Sequence, residues 1–187
     1  YRQDGGFGAL GHAVSDGDTG VQMSLSEGYI YETKIVSIQK GKTGVPGELA
    51  GIIDYGESHC MGSITENSPL GIRGVLNDTA GELEGEVYEV AYKQDIEPGK
   101  AYIISEVSGE RAEYEIEIES LDYSGDEENK GILFKVTDER LLDLTGGIVQ
   151  GMSGSPIIQN GKMIGAVTHV FVSDASMGYG IFIEKML

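Results

Sequence analysis

A serine flanked by glycines, Gly151-Met152-Ser153-Gly154-Ser155-Pro156, opens into an apolar run that ends at Gln159. Glycines on both sides let the backbone turn sharply and present one hydroxyl, since Gly151 and Gly154 can take positive φ or admit a substrate carbonyl closely. In such a turn the amides of Gly151 and Ser153 can converge on a developing oxyanion. A serine hydroxyl is a poor nucleophile until a base removes its proton, so acyl transfer here needs a histidine. A bare G-x-S-G is a common glycine turn. Followed by Ser-Pro, a strand, the Asn160-Gly161 turn and a second apolar strand, it reads as the nucleophile loop of a serine protease.

Three histidines are available as the base. His12 ends the small-residue stretch from Gly8, which leaves an imidazole reachable and resembles the strand that delivers the general base in trypsin-like proteases. His59 sits in a loop-like segment next to Cys60 and reads as a surface residue. His169 lies across the Asn-Gly hairpin from Ser153, where it should line the cleft rather than act as base. An acid to orient the base would fall between histidine and serine, and Asp54, Asp78, Asp95 and Asp138 all do.

These side chains need a scaffold, and the alternation of the chain supplies it. Residues 101–107 and 111–121 flank Ser108-Gly109, and the second run alternates charged and apolar residues with period two, as a half-buried hairpin does. Residues 8–14, 29–38, 85–92, 131–136, 155–159 and 163–172 read as further strands. Only residues 139–144 and the tail from Ile183 look helical. The fold expected is all-β with at least eight strands. A soft boundary at residues 93–99 divides it into an N-terminal half, 1–95, and a C-terminal half, 96–187.

Composition bounds the rest. A chain of 187 residues buries enough surface to fold without staples. The 29 glycines carry no G-X-Y period and instead mark tight turns. A formal charge of −18 would repel a phosphate backbone, which makes nucleic acid an improbable partner. The single cysteine, Cys60, excludes an internal disulfide and a multi-cysteine zinc cage. Asp16-Gly17-Asp18-Thr19-Gly20 lacks the further spaced oxygens of a calcium loop and reads as a turn, so neither metal nor cofactor is expected. No apolar run approaches the roughly 20 residues that span a bilayer. Any leader, anchor or companion domain is expected to lie outside these residues, and membrane contact only through such segments.

Several stretches together resemble one family: GALGHAVSDGDTG near the start, NSPLGI at residues 67–72, KVTDERLL at 135–142 and TGGIVQGMSGSPIIQNGKMIGAVTHVFV at 145–172. They are similar to the peptidase domain of stage IV sporulation protein B (SpoIVB), a set of trypsin-like serine peptidases of endospore-forming bacteria. The resemblance implies a chymotrypsin-like fold of two antiparallel β-barrels or half-barrels. Only eleven residues precede His12, so either the first barrel is reduced or strands lie upstream. It places the catalytic serine, histidine and aspartate on Ser153, His12 and Asp138, with Thr168 and His169 on the strand beside bound substrate, where a histidine would suit an acidic or amide side chain and the same geometry a small one. Asp138 also precedes Glu139-Arg140-Leu141-Leu142 and could instead cap a short helix, which leaves Asp16, Asp18 or a plain Ser–His pair. The family implies protein or peptide substrates, self-cleavage, cleavage of a membrane-associated regulator, a PDZ domain upstream, and export to the space between mother-cell and forespore membranes. A catalytically silent peptide-binding module and an unrelated all-β structural domain are the competing readings.

Overall fold

The computed structural model describes residues 4–80 and 85–187, apart from the side chain of Thr79. The first half supplies six strands: β1 (Gly6–Ala9), β2 (Tyr29–Tyr31), β3 (Thr33–Gln39), β4 (Glu48–Ile53), β5 (Cys60–Ser68) and β6 (Gly71–Leu76). Four of them form an open sheet in the order β1-β6-β5-β2, while β3 and β4 make a separate two-stranded hairpin. The second half supplies β7 (Glu89–Val90), β8 (Gly99–Ser105), β9 (Ala112–Leu121), β10 (Ile132–Val136), helix α1 (Glu139–Thr145), β11 (Pro156–Gln159), β12 (Lys162–Val170) and β13 (Met177–Phe182). Strands β11-β8-β9-β10-β13-β12 pair in that order and β12 pairs back to β11, which closes a six-stranded barrel; β7 adds to the outside of β12.

The barrel holds the core. In β9 the alternation of AEYEIEIESL puts Tyr114, Ile116 and Ile118 inside, each at most 2% exposed, and leaves Glu113, Glu117 and Glu119 in water. Each buried isoleucine contributes about 1.5–3 kcal/mol, and a one-residue slip would drive glutamates inward, so this register is strongly specified. Phe134, Ile132, Ile157, Ile164 and Leu141 complete the same cluster. The closed barrel beside an open sheet meets the expectation of a mostly β fold.

Four local expectations change. The strand expected at residues 8–14 is shifted and short, ending at Ala9, because Leu10 and Gly11 take φ of 69° and 72° and turn the chain. The strand expected at 29–38 is broken at Glu32 into β2 and β3, which join different sheets. Of residues 85–92 only Glu89–Val90 are strand. The tail from Ile183 is a single 3-10 turn rather than an α-helix.

Candidate active site

Ser153 lies in the loop between α1 and β11, and two glycines shape it. Gly154 has φ of +89°, and a Cβ there would stand 2.8 Å from the Leu10 nitrogen. That close approach seats the nucleophile loop on the turn that follows β1. Gly151 has φ of +100°, open to glycine and strained for other residues. Met152 N donates to Val149 O at 3.1 Å, Gly154 N to Val167 O at 2.8 Å and Ser155 N to Met152 O at 3.1 Å. Among the described residues, the two amides on either side of Met152, those of Gly151 and Ser153, donate to nothing.

His12 sits just past the Leu10-Gly11 turn and faces the same cleft as Ser153, a cavity of about 430 Å³ walled by Val149, Val167 and Val170. Its Nδ1 lies 2.9 Å from the Ala13 carbonyl. A carbonyl oxygen carries no proton, so Nδ1 must hold the hydrogen, and in the neutral ring Nε2 keeps its lone pair, as a general base requires. The loop is tied down by a residue that sequence reasoning left without a role. Asn67 Oδ1 accepts from Val14 N, and its Nδ2 donates to Val14 O and Met23 O, each at 2.9 Å. The signal was an amide side chain inside a strand, where such residues usually bond backbone rather than pack.

In the resting geometry Ser153 Oγ donates to Thr168 O at 3.1 Å rather than to His12. Thr168 contributes that carbonyl to the cleft, while its side chain is turned away, its single proton shared between Asn129 O at 2.6 Å and Tyr179 O at 3.1 Å. His169 packs on His12 with ring centroids 5.5 Å apart and planes tilted by 48°. Its Nδ1 is buried with no hydrogen-bond partner among the described residues. Burial first, and then the charges of His12 and Lys130, pull His169 below the ordinary histidine value, against a smaller pull from Glu127. His169 therefore stays neutral at neutral pH. It offers a hydrogen bond to an amide or hydroxyl and no positive charge to a carboxylate.

Asp138 is not brought to His12. It is the N-cap of α1, with Oδ1 accepting from Arg140 N at 2.9 Å and from Arg140 Nε at 3.1 Å. Oδ2 accepts from Arg140 Nη2 at 2.7 Å and from Glu115 N at 3.2 Å. A carboxylate offers about four lone-pair positions, and all are taken. The Arg140 hydrogen bonds hold its carboxyl down from 3.8 to about 2, against the opposing effect of burial. Asp16 is likewise committed locally, accepting from Thr19 N at 2.9 Å and Thr19 Oγ1 at 2.7 Å within its turn. His59 is a surface histidine bonded to Glu32 at 2.7 Å and facing Asp54 at 3.4 Å.

Among curated proteins no sequence matches the chain. Solved structures that match include the active form of the Rv3671c protease from M. tuberculosis, at 15% identity and a TM-score of 0.47. That alignment covers 75% of this chain and 60% of the other. The model of the family described as SpoIVB peptidase S55 matches residues 1–187 from end to end. A glycine-framed serine, a histidine in the base tautomer and a whole-length family match coincide, and the chain belongs to the SpoIVB peptidase family.

Proposed function

We propose that this protein is a serine endopeptidase with Ser153 as nucleophile and His12 as general base. The observation that carries it is the shared cleft, lined by both Nδ1-protonated His12 and Ser153 beside two amides without acceptors among the described residues. Ser153 Oγ exchanges the Thr168 carbonyl for His12 Nε2, gives up its proton and attacks the substrate carbonyl. The Gly151 and Ser153 amides receive the oxyanion, each such donor being worth on the order of 10²–10³ in turnover. His12 then protonates the leaving amine, and water hydrolyses the acyl-enzyme by the reverse sequence. The half at residues 1–95 supplies the base and the half at 96–187 the nucleophile. Thr168, through its carbonyl, and neutral His169 flank the substrate. No step calls for a metal or cofactor.

From family membership the proposal extends to substrates that are proteins, the chain itself among them, and to a membrane-associated regulator cut during sporulation between the mother-cell and forespore membranes. An upstream PDZ domain would recruit them. Among the described residues no helix is long and apolar enough to cross a membrane.

A fluorophosphonate tests the core of the reading. It should phosphonylate Ser153 and no other serine, located by peptide mass spectrometry, with loss of labelling in His12→Ala. The resting Ser153–Thr168 hydrogen bond is the observation on the side of a silent peptide-binding module. Absence of labelling in protein that binds peptide would establish that module instead.

The acid is expected to matter little to turnover. Asp138→Asn keeps the cap, because Asn and Asp cap about equally well, so kcat should stay near wild type. What it should remove is acid sensitivity. A carboxyl whose folded value is lowered stabilises the fold fully above its unfolded value of 3.8 and loses that contribution as pH falls through about 2. Thermal melts across that window should show a smaller decline for the variant than for the wild type. A loss of several orders of magnitude in kcat would instead return Asp138 to the triad.

A further inference from the structure

Among the described residues the hairpin β3–β4 pairs with no other strand of either sheet, yet its turn end is laced onto α1 and the nucleophile loop. Gly41 N donates to Thr145 O at 2.8 Å, and Lys40 Nζ bonds the Asp143 carbonyl. Gln150, the residue before Gly151, is gripped on both sides: its N–H donates to Gly47 O at 2.8 Å, and its carbonyl accepts from Leu49 N at 2.9 Å. The Leu49 side chain packs on the next residue, since a Cβ at Gly151 would stand 3.0 Å from Leu49 Cβ.

The second of those bonds has a directional consequence. The Gln150 carbonyl and the Gly151 amide are the two ends of one peptide unit, and in a planar trans peptide C=O and N–H point in opposite directions. Holding the Gln150 oxygen on the hairpin therefore turns the Gly151 N–H away from the hairpin, and that N–H has no acceptor among the described residues. Glycine is also the residue with the least resistance to rotation of the peptide beside it. Released, the unit can turn over, exchanging a donor for a carbonyl oxygen, which would repel an oxyanion instead of binding it.

We propose that the β3–β4 hairpin is a positioning element for the oxyanion hole, acting through the hydrogen bond from Leu49 N–H to the Gln150 carbonyl. The proposal rests on the serine peptidase reading above and assigns Leu49 no contact with substrate. It makes the competence of the hole a property of a strand pair lying outside the barrel.

The test is to replace Leu49 by its α-hydroxy acid, which puts oxygen in place of the N–H and keeps the side chain. Folded variant should lose kcat toward the roughly 10²–10³-fold effect of deleting an oxyanion donor, with KM unchanged. Affinity for a peptide aldehyde, whose tetrahedral adduct fills the hole, should fall in parallel, while affinity for the unreactive product peptide holds. A merely structural role would not separate those two affinities. Unchanged kcat and aldehyde affinity in the variant would overturn the proposal while Ser153-dependent hydrolysis by the wild type stood. Absence of that hydrolysis in the wild type would overturn both. Should the ester not fold, the wild type decides: the Leu49 amide should resist hydrogen exchange and the Gly151 amide resonance should shift on adding the aldehyde. Rapid exchange at Leu49 would overturn the proposal.

Discussion

Ser153→Ala is expected to lower turnover by on the order of 10⁶, the loss seen when a protease serine that works with a histidine is removed. No other hydroxyl on the nucleophile loop can take over. Ser155 lies two residues on, where its backbone is already bonded to Met152 and Val167. The fold should survive. The lost hydroxyl made one hydrogen bond, to the Thr168 carbonyl, and the bonds that shape the loop are backbone bonds from Met152, Gly154 and Ser155. The measurement is kcat on an unstructured protein substrate together with a thermal midpoint. Wild-type turnover in the variant, with contaminating protease excluded by titrating active sites, would sink the whole reading of the site.

His12→Ala should be equally severe and, combined with Ser153→Ala, no worse than either alone. The two groups act as a unit: without the base the hydroxyl is not a nucleophile, and without the hydroxyl the base has nothing to activate. What survives in all three variants should be the same small residue of catalysis from the oxyanion amides and substrate binding. Additive losses would mean that His12 acts on something other than Ser153. His169 is the competing histidine, and His169→Ala separates them, since a neutral neighbour whose ring centroid lies 5.5 Å from that of His12 should be missed far less than the base.

Much of this was legible in the residues. The nucleophile loop showed because its chemistry is local: sharp turns need glycine at Gly151 and Gly154, and a strand and an Asn-Gly hairpin must follow to hold them. The barrel strands β8 to β12 showed as apolar runs, with period-two alternation where one face is in water, as in β9; β13, Met177–Phe182, did not show. Strands β4, β5 and β6 did not, since residues 48–53 and 60–76 interrupt their apolar residues with glycine, and the second stretch with serine and asparagine as well, so no clean alternation marks the strands that pair there. Asp138 makes the same division in one residue. Sequence order admitted it as triad acid and as helix cap alike, and Arg140 two positions on was the local sign of the second. Composition, turn chemistry and hydrophobic period therefore determined the mostly β fold class and singled out Ser153 as the candidate nucleophile, while family resemblance pointed to His12 as its candidate base. Which carbonyl orients His12, where the four lone pairs of Asp138 are spent and which hairpin grips Gln150 were decided only by tertiary structure, because a hydrogen bond depends on direction in space, and no spacing along the chain encodes that.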